Sequence, residues 1–329
     1  MVCRLRRRCV LACIASLGFD AGAADPERRV RVVGVLQTAP LTTNASARTL
    51  GVLRESFQRQ GLVEGRNLTL VLRSAEGDPL VLPVLASEMT GLAVEVMLAF
   101  GPAAVQAAVA ASRTLPIVAL DLESDPVRSG WARSLSKPGG NVTGLFLNRS
   151  EIAGKWLELL REMVPQVRRV SALWDATTDA AQVDAVRQAA ARLRVDMTVH
   201  SLRSTSEIST ALNAARAADA QALLILSSPL TRNASQQVAE FTVRHRLPAI
   251  SPFRAFPEAG GLLSYGPDLD YFFARTADFA DKILRGASAG DLPIEQPAKF
   301  ELVINAAAAR ALHIAVPPAV RIRANEVID

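Results

Sequence analysis

Between Ser124 and Gly144 the chain reads SDPVRSGWARSLSKPGGNVTG. Glycines together with Arg128, Arg133 and Lys137 are the materials of a phosphate loop, where glycine lets backbone N–H groups approach an anion. The order of the residues argues against that chemistry. A phosphate loop sets its glycines ahead of a helix and its lysine at the helix start. Here Lys137 and Pro138-Gly139-Gly140 come last. Val127, Trp131 and Leu135 recur every four residues, which predicts a short helix with one apolar stripe. Asp125 stands where a cap would, Pro126 at the first helical position, and Gly139-Gly140 at the stop. The bases then fall on a solvated face, and Ser124-Asp125 is the end that could meet a ligand.

Other reactive constellations are missing. The three histidines, His200, His245 and His313, have no partners at metal-ligand spacing. There is no G-x-S-x-G nucleophile elbow and no G-x-x-x-x-G-K-[ST]. The first strand is not followed by G-x-G-x-x-G. Asp121 and Glu123 form a carboxylate pair of a kind common on loops. The expectation is no catalytic residue, no metal, no cofactor and no enzymatic activity.

The N-terminus carries its own signal. Arg4, Arg6, Arg7 and Arg8 precede an apolar run from Cys9 to Phe19, and Ala21-Gly22-Ala23 has the A-x-A form. This pattern predicts a secretory signal peptide over 1–23, cleaved near Ala23 or Ala24, and a periplasmic location. All three cysteines lie in that segment, so the mature chain has no disulfide framework. Its loss lowers the net charge from +5 to +2. The basic character of the precursor therefore gives no reason to expect nucleic-acid binding.

The elements that must position any site alternate along the chain. Val30–Leu36 is a nearly continuous β-branched run, which suits a strand buried on both faces. Strand and helix patterns then repeat as far as Ser251, in two similar series. The predicted fold is α/β, with two similar Rossmann-like lobes of parallel strands hinged around a central cleft. Extra elements after the second series predict that the chain crosses back between the lobes. In open α/β sheets a ligand lies beyond the carboxyl ends of the strands. That rule selects the candidate ligand-binding residues: Gln37, Thr38, Gly101, Pro102, Ala103, Asp125, Trp174, Asp175, Ser228, Arg254 and Tyr265. Gly101 to Ala103 would offer backbone N–H groups at a helix start. Trp174 would either stack on a ligand ring or fill a lobe interface. Arg254 would pair with a ligand carboxylate or be an ordinary surface arginine. Tyr265 reads as hinge or cleft wall.

Several pieces together resemble a known family. They include Gly61-Leu62-Val63-Glu64-Gly65-Arg66-Asn67 and the sequence from Asp125-Pro126-Val127 through Pro138-Gly139-Gly140-Asn141-Val142-Thr143-Gly144. Gly260-Gly261-Leu262-Leu263-Ser264-Tyr265-Gly266 and Pro297-Ala298-Lys299-Phe300-Glu301-Leu302 come later, in order. The chain is similar to the substrate-binding proteins of ABC transporters with a type I periplasmic-binding fold, in the subgroup that includes aromatic amino acid and tryptophan binders. The resemblance implies a monomer that captures a small organic solute, such as an amino acid or other small carboxylate, and delivers it to a membrane permease. It also implies boundaries: lobe 1 over 24–147 with a return segment 256–290, and lobe 2 over 148–255 with a C-terminal segment 291–329. Three places depart from the family pattern, one of them the first loop, Thr38-Ala39-Pro40-Leu41-Thr42-Thr43, which lacks the acidic and histidine residues expected of aromatic amino acid binders. Members often have threonine where this chain has Gly101, and aspartate where it reads Ser227-Ser228-Pro229. Two other functions stay open at this point: a ligand sensor working with a membrane signalling partner, and a periplasmic α/β enzyme.

Overall fold

The computed structural model describes residues 29–147, 151–296 and 299–329. The expected signal peptide lies outside them. The first sheet is built from β1 (Arg31–Gln37), β2 (Leu68–Ser74), β3 (Val96–Phe100), β4 (Ile117–Asp121) and β5 (Val142–Phe146). All pairings are parallel, in the order β2-β1-β3-β4-β5. The three connecting helices are α1 (Asn44–Arg59), α2 (Leu82–Gly91) and α3 (Pro102–Ala111). Strands β3, β4 and β5 are buried at every position. Their unbroken apolar character is what a sheet covered on both faces demands.

The second sheet takes β6 (Arg169–Asp175), β7 (Asp196–Leu202), β8 (Ala222–Ile225) and β9 (Ala249–Ser251). Around them lie α4 (Glu151–Met163), α5 (Ala181–Leu193), α6 (Ile208–Ala217), the short α7 (Pro229–Asn233), α8 (Ser235–Arg244) and α9 (Ala255–Glu258). Then come β10 (Leu263–Pro267), α10 (Leu269–Leu284), β11 (Phe300–Asn305), α11 (Ala306–Ala311), α12 (Pro318–Arg323) and β12 (Glu326–Ile328). The strand order is β12-β11-β10-β9-β8-β6-β7, and only the β10–β11 pairing is antiparallel.

The chain passes between the sheets three times. It leaves β5 for α4, and it leaves β10 for α10. After Glu295, which bridges to Leu145 beside β5, it returns to β11. The second passage differs from the boundary drawn at 256. Strand β10 stays in the seven-stranded sheet, and only from Leu269 does the chain pack on the five-stranded one. Asp268 caps that helix, accepting from Tyr271 N at 3.1 Å. Phe272, Phe273 and Phe279 then bury against β1, β3 and the α1 residues Leu53 and Phe57. At roughly 25 cal/mol per Å² of buried apolar surface, these rings make α10 a firm part of the first lobe.

The helix predicted after Asp125 does not form. Trp131 N and Ala132 N both donate to Pro126 O, at 2.9 and 3.0 Å, which closes a turn. Gly130 then has φ +73°, a left-handed conformation that ends any helical course. Asp125 caps this turn instead, accepting from Val127 N and Arg128 N. Of the expected stripe, Val127 is exposed while Trp131 and Leu135 pack on the core beside α2 and α3. Gly139 N donates to Gly290 O at 2.9 Å, so the glycine turn braces the segment beyond α10.

Candidate functional site

The carboxyl ends of the central strands lie level. Register sets Gln37 beside Phe100, and Phe100 beside Leu120. These three residues, with Phe273 from α10, form the floor of a pocket on the first lobe. Pro229, Arg232 and Phe253 close it from the second lobe. The cavity between these walls has a volume of about 70 Å³.

Gln37 is buried, and its Nε2 donates to Ala39 O at 2.8 Å and Ser46 Oγ at 2.9 Å. Those bonds hold its side chain at the pocket edge. Thr38 lines the same edge, while its carbonyl accepts from Gly77 N at 2.8 Å. Gly101 is also in the wall, with φ +88°. A Cβ there would lie 2.8 Å from Pro229 Cγ, across the cleft. Glycine therefore does two things: it adopts the left-handed corner and lets the second lobe come into contact. Pro229 lies beside the Gly101 corner at the start of α3, where the 101–103 segment was expected to present backbone N–H groups; the Gly101 N–H donates to Leu120 O instead, and Pro102 has none. Neither Pro102 nor Ala103 lines the pocket.

The other expected residues serve the frame around the pocket. Ser228 is fully buried and caps α7, accepting from Thr231 N at 3.0 Å. Asp175 Oδ1 accepts from Thr177 N and Thr177 Oγ1, at 2.9 and 2.6 Å. Trp174 packs against the core of the second lobe, and its buried Nε1 has no partner among the described residues. Tyr265 accepts from Trp156 Nε1 through its carbonyl at 2.6 Å and stacks on Phe300. Asp125 belongs to the turn already described. Arg254 faces the outer groove at the cleft mouth, bonded to Glu258 at 2.7 Å and Glu326 at 2.6 Å.

Two residues of the pocket wall carry its electrostatics. Glu123 is buried, and Ser227 Oγ from the second lobe donates to its Oε1 at 2.6 Å. Ser227 is itself fixed by Gln182, which accepts from its N–H and donates to its carbonyl, at 2.9 and 3.0 Å. Burial, then the nearby Asp121 carboxylate, pushes Glu123 up to about 8. Asp121 is raised too, chiefly by burial, although its Oδ1 accepts from Glu123 N and Ser124 N. Burial thus holds Glu123 toward its uncharged form, clasped between the lobes.

Arg232 is the second. Its guanidinium lies over the Phe273 ring, 5.7 Å from the centroid, where cation–π attraction steadies it. Burial pulls its pKa down to about 10, so it stays charged at neutral pH. Among the described residues it has no ion-pair partner. The carboxylate whose charge reaches it, Asp270, is already gripped by Arg48 at 2.6 and 2.9 Å. Sequence reading passed over Arg232, because its setting is made by Phe273, on a helix that returns from the other lobe.

Charged pairs ring the mouth of the cleft. Arg48 reaches from α1 to Glu258 of the second lobe at 3.2 Å, and Arg128 pairs with Asp179. Among the described residues no helix is long and apolar enough to cross a membrane.

A family model for the ABC transporter substrate-binding proteins matches residues 33–328. A tyrosine-binding protein of Clostridioides difficile (strain R20291) is 24% identical over 260 residues, covering 78% of this chain and 74% of that protein. The structure of an ABC domain in complex with L-Trp from Streptococcus pneumonia superposes with a TM-score of 0.82 at 22% identity, over 91% of this chain and 100% of that one. The ligand-free, open structure of a substrate-binding protein with adhesive properties from Clostridium difficile gives 0.64 at 22% identity, over 91% and 99%. With its two α/β lobes of mostly parallel strands, this is the type I periplasmic-binding fold. The chain belongs to the ABC transporter substrate-binding protein family.

Proposed function

We propose that this protein is the extracytoplasmic substrate-binding component of an ABC importer. It takes one small organic solute, an amino acid or another small carboxylate, into the pocket between its lobes. It then delivers that solute to a membrane permease, working as a monomer. Residues 1–23 act as a signal peptide that sends the chain to the periplasm. The observation that carries this reading is the pocket itself, whose walls come from the strand ends of one lobe and from α7 of the other. Superposition is better on an L-Trp complex than on an open, ligand-free relative, which supports a closed, solute-accepting arrangement. In this reading Gln37, Thr38, Gly101, Glu123 and Arg232 face the solute. Ser228, Asp175, Trp174 and Tyr265 hold the frame, Asp125 shapes the loop beside it, and Arg254 ties the mouth. Pro102 and Ala103 start the helix behind Gly101.

A thermal-shift screen of the purified protein against amino acids, aromatic acids, sugars and purines tests the reading. A solute at 100 times its dissociation constant adds about 2.7 kcal/mol of stability. The expected result is a clear upward shift with a restricted set of solutes. No shift across the panel, together with turnover of some substrate, would overturn it.

A further inference from the structure

We propose that Arg232 is the anion subsite of the pocket, and that the solute is a small organic carboxylate with an apolar or aromatic body. This rests on the solute-binding reading above and names the class of solute. Arg232 is half-buried, lies over the Phe273 ring and lines both the pocket and the outer groove, with no ion-pair partner among the described residues. A charge partly withdrawn from water without a counter-ion is costly to the free protein. Its neighbour Asp270 cannot supply the missing charge, because both Asp270 oxygens are held by Arg48. Glu123, the acid on the pocket wall, is engaged by Ser227 and held toward its uncharged form. A carboxylate entering the pocket can meet the planar guanidinium with two parallel hydrogen bonds. At the alternative anion site, the start of α3, the Gly101 N–H already donates to Leu120 O at 2.9 Å and Pro102 has no N–H to give. Phe273 lies against the guanidinium, and Phe100, Leu120, Leu122 and Phe253 supply the larger apolar part of the pocket lining, beside the polar Gln37, Thr38, Ser46 and Thr49. Those apolar surfaces favour a solute whose remaining atoms are apolar or aromatic, and they offer little to a polyhydroxylated sugar.

Two of the departures from the family pattern fit together on this view. Gly101 leaves room for Pro229, and Pro229 begins the short helix that carries Arg232 into the cleft. The Ser228 cap fixes that helix.

The test uses titration calorimetry and thermal shift on the protein purified from expression of the full chain. The probes are 3-phenylpropionate, 4-hydroxyphenylacetate, L-tyrosine and L-tryptophan, each beside its carboxamide, with glucose and adenine as carboxylate-free controls. At least one carboxylate is expected to bind, and at least tenfold more tightly than its carboxamide. Arg232→Met is expected to erase that preference without lowering the midpoint of the ligand-free protein, and Arg232→Lys to keep part of it. Should the methionine variant prove unstable, Arg232→Gln makes the same comparison with a polar side chain. A carboxylate and its carboxamide binding within threefold of each other would overturn the subsite, as would a preference that survives loss of Arg232. If glucose or adenine binds and no carboxylate does, the subsite is wrong and the solute-binding reading stands. If no probe or control binds, both fall.

Discussion

The arginines at the mouth of the cleft and the one inside it live under opposite conditions. Arg254 touches Glu258, Glu301 and Glu326, and Arg48 holds both Asp270 and Glu258. Its hydrogen bond to Asp270 is the main reason Arg48 is raised above the usual arginine value. Arg232 is pulled the other way by burial and has no protein counter-ion among the described residues. The mouth pairs are complete as they stand, whereas Arg232, which lines both the pocket and the outer groove, is unpaired among the described residues. Proteins accept such strain where function needs it, and the difference separates groups that tie the lobes together from the charge that the proposed solute would meet.

The hardest way to break this arrangement is to hold the lobes apart. Gly101→Val places side-chain atoms against Pro229 and forces a β-branched residue into a left-handed conformation. Solute affinity is expected to fall at least tenfold and the midpoint by several degrees, measured by calorimetry and thermal shift. Adding Pro229→Ala should recover part of the affinity, because it removes the ring that the new side chain meets.

A sharper comparison sets one arginine against the other in the ligand-free protein. Arg232→Met removes an unpaired, half-buried charge and should raise the midpoint, by about 1–2 kcal/mol of stability or about 2–3 °C. Arg254→Met leaves three carboxylates facing one another and should lower it by about 1 kcal/mol. Thermal melts of the two variants check the signs, and matching signs would dissolve the contrast between mouth and interior.

The buried acid gives a pH dependence. Glu123 is raised from 4.5 to about 8 in the folded protein, so between those values the folded chain holds a proton that the unfolded chain has released. Stability from this group is present below pH 4.5 and is lost as pH rises towards 8. The midpoint of the wild-type protein should therefore fall across that window, and Glu123→Gln should flatten the curve. At the small end stands Lys137, exposed and 3.7 Å from Asp291. Lys137→Ala should leave both solute affinity and midpoint unchanged within error; a tenfold loss of affinity would bring back the phosphate-loop reading of its glycine-rich stretch.

Much of the fold was legible because its signals are local. Strands β1, β3 and β4 announce themselves as apolar runs buried on both faces. Gln37, Thr38 and Gly101 line the pocket because they stand at or just past the carboxyl ends of β1 and β3, positions that a strand pattern marks in the sequence. The segment after Asp125 misled for a local reason as well: Asp-Pro at its head imitates a helix start, but Gly130 turns the chain left-handed five residues later. Strand β10 gave no sign of which sheet it joins, since that depends on pairing with β9 and β11. The pocket's charged residues were the least legible. The partner of Glu123 is Ser227, 104 positions away in the other lobe. Arg232 owes its isolation to a helix that comes back from beyond β10. Neither setting exists until the two lobes meet.

Native mass spectrometry of the protein with the strongest solute from the screen tests capture between the lobes most directly. One solute per wild-type chain, and little or none on Gly101→Val at the same concentration, is the predicted result. Equal occupancy of the two proteins would contradict it, because a solute indifferent to lobe contact is bound somewhere else.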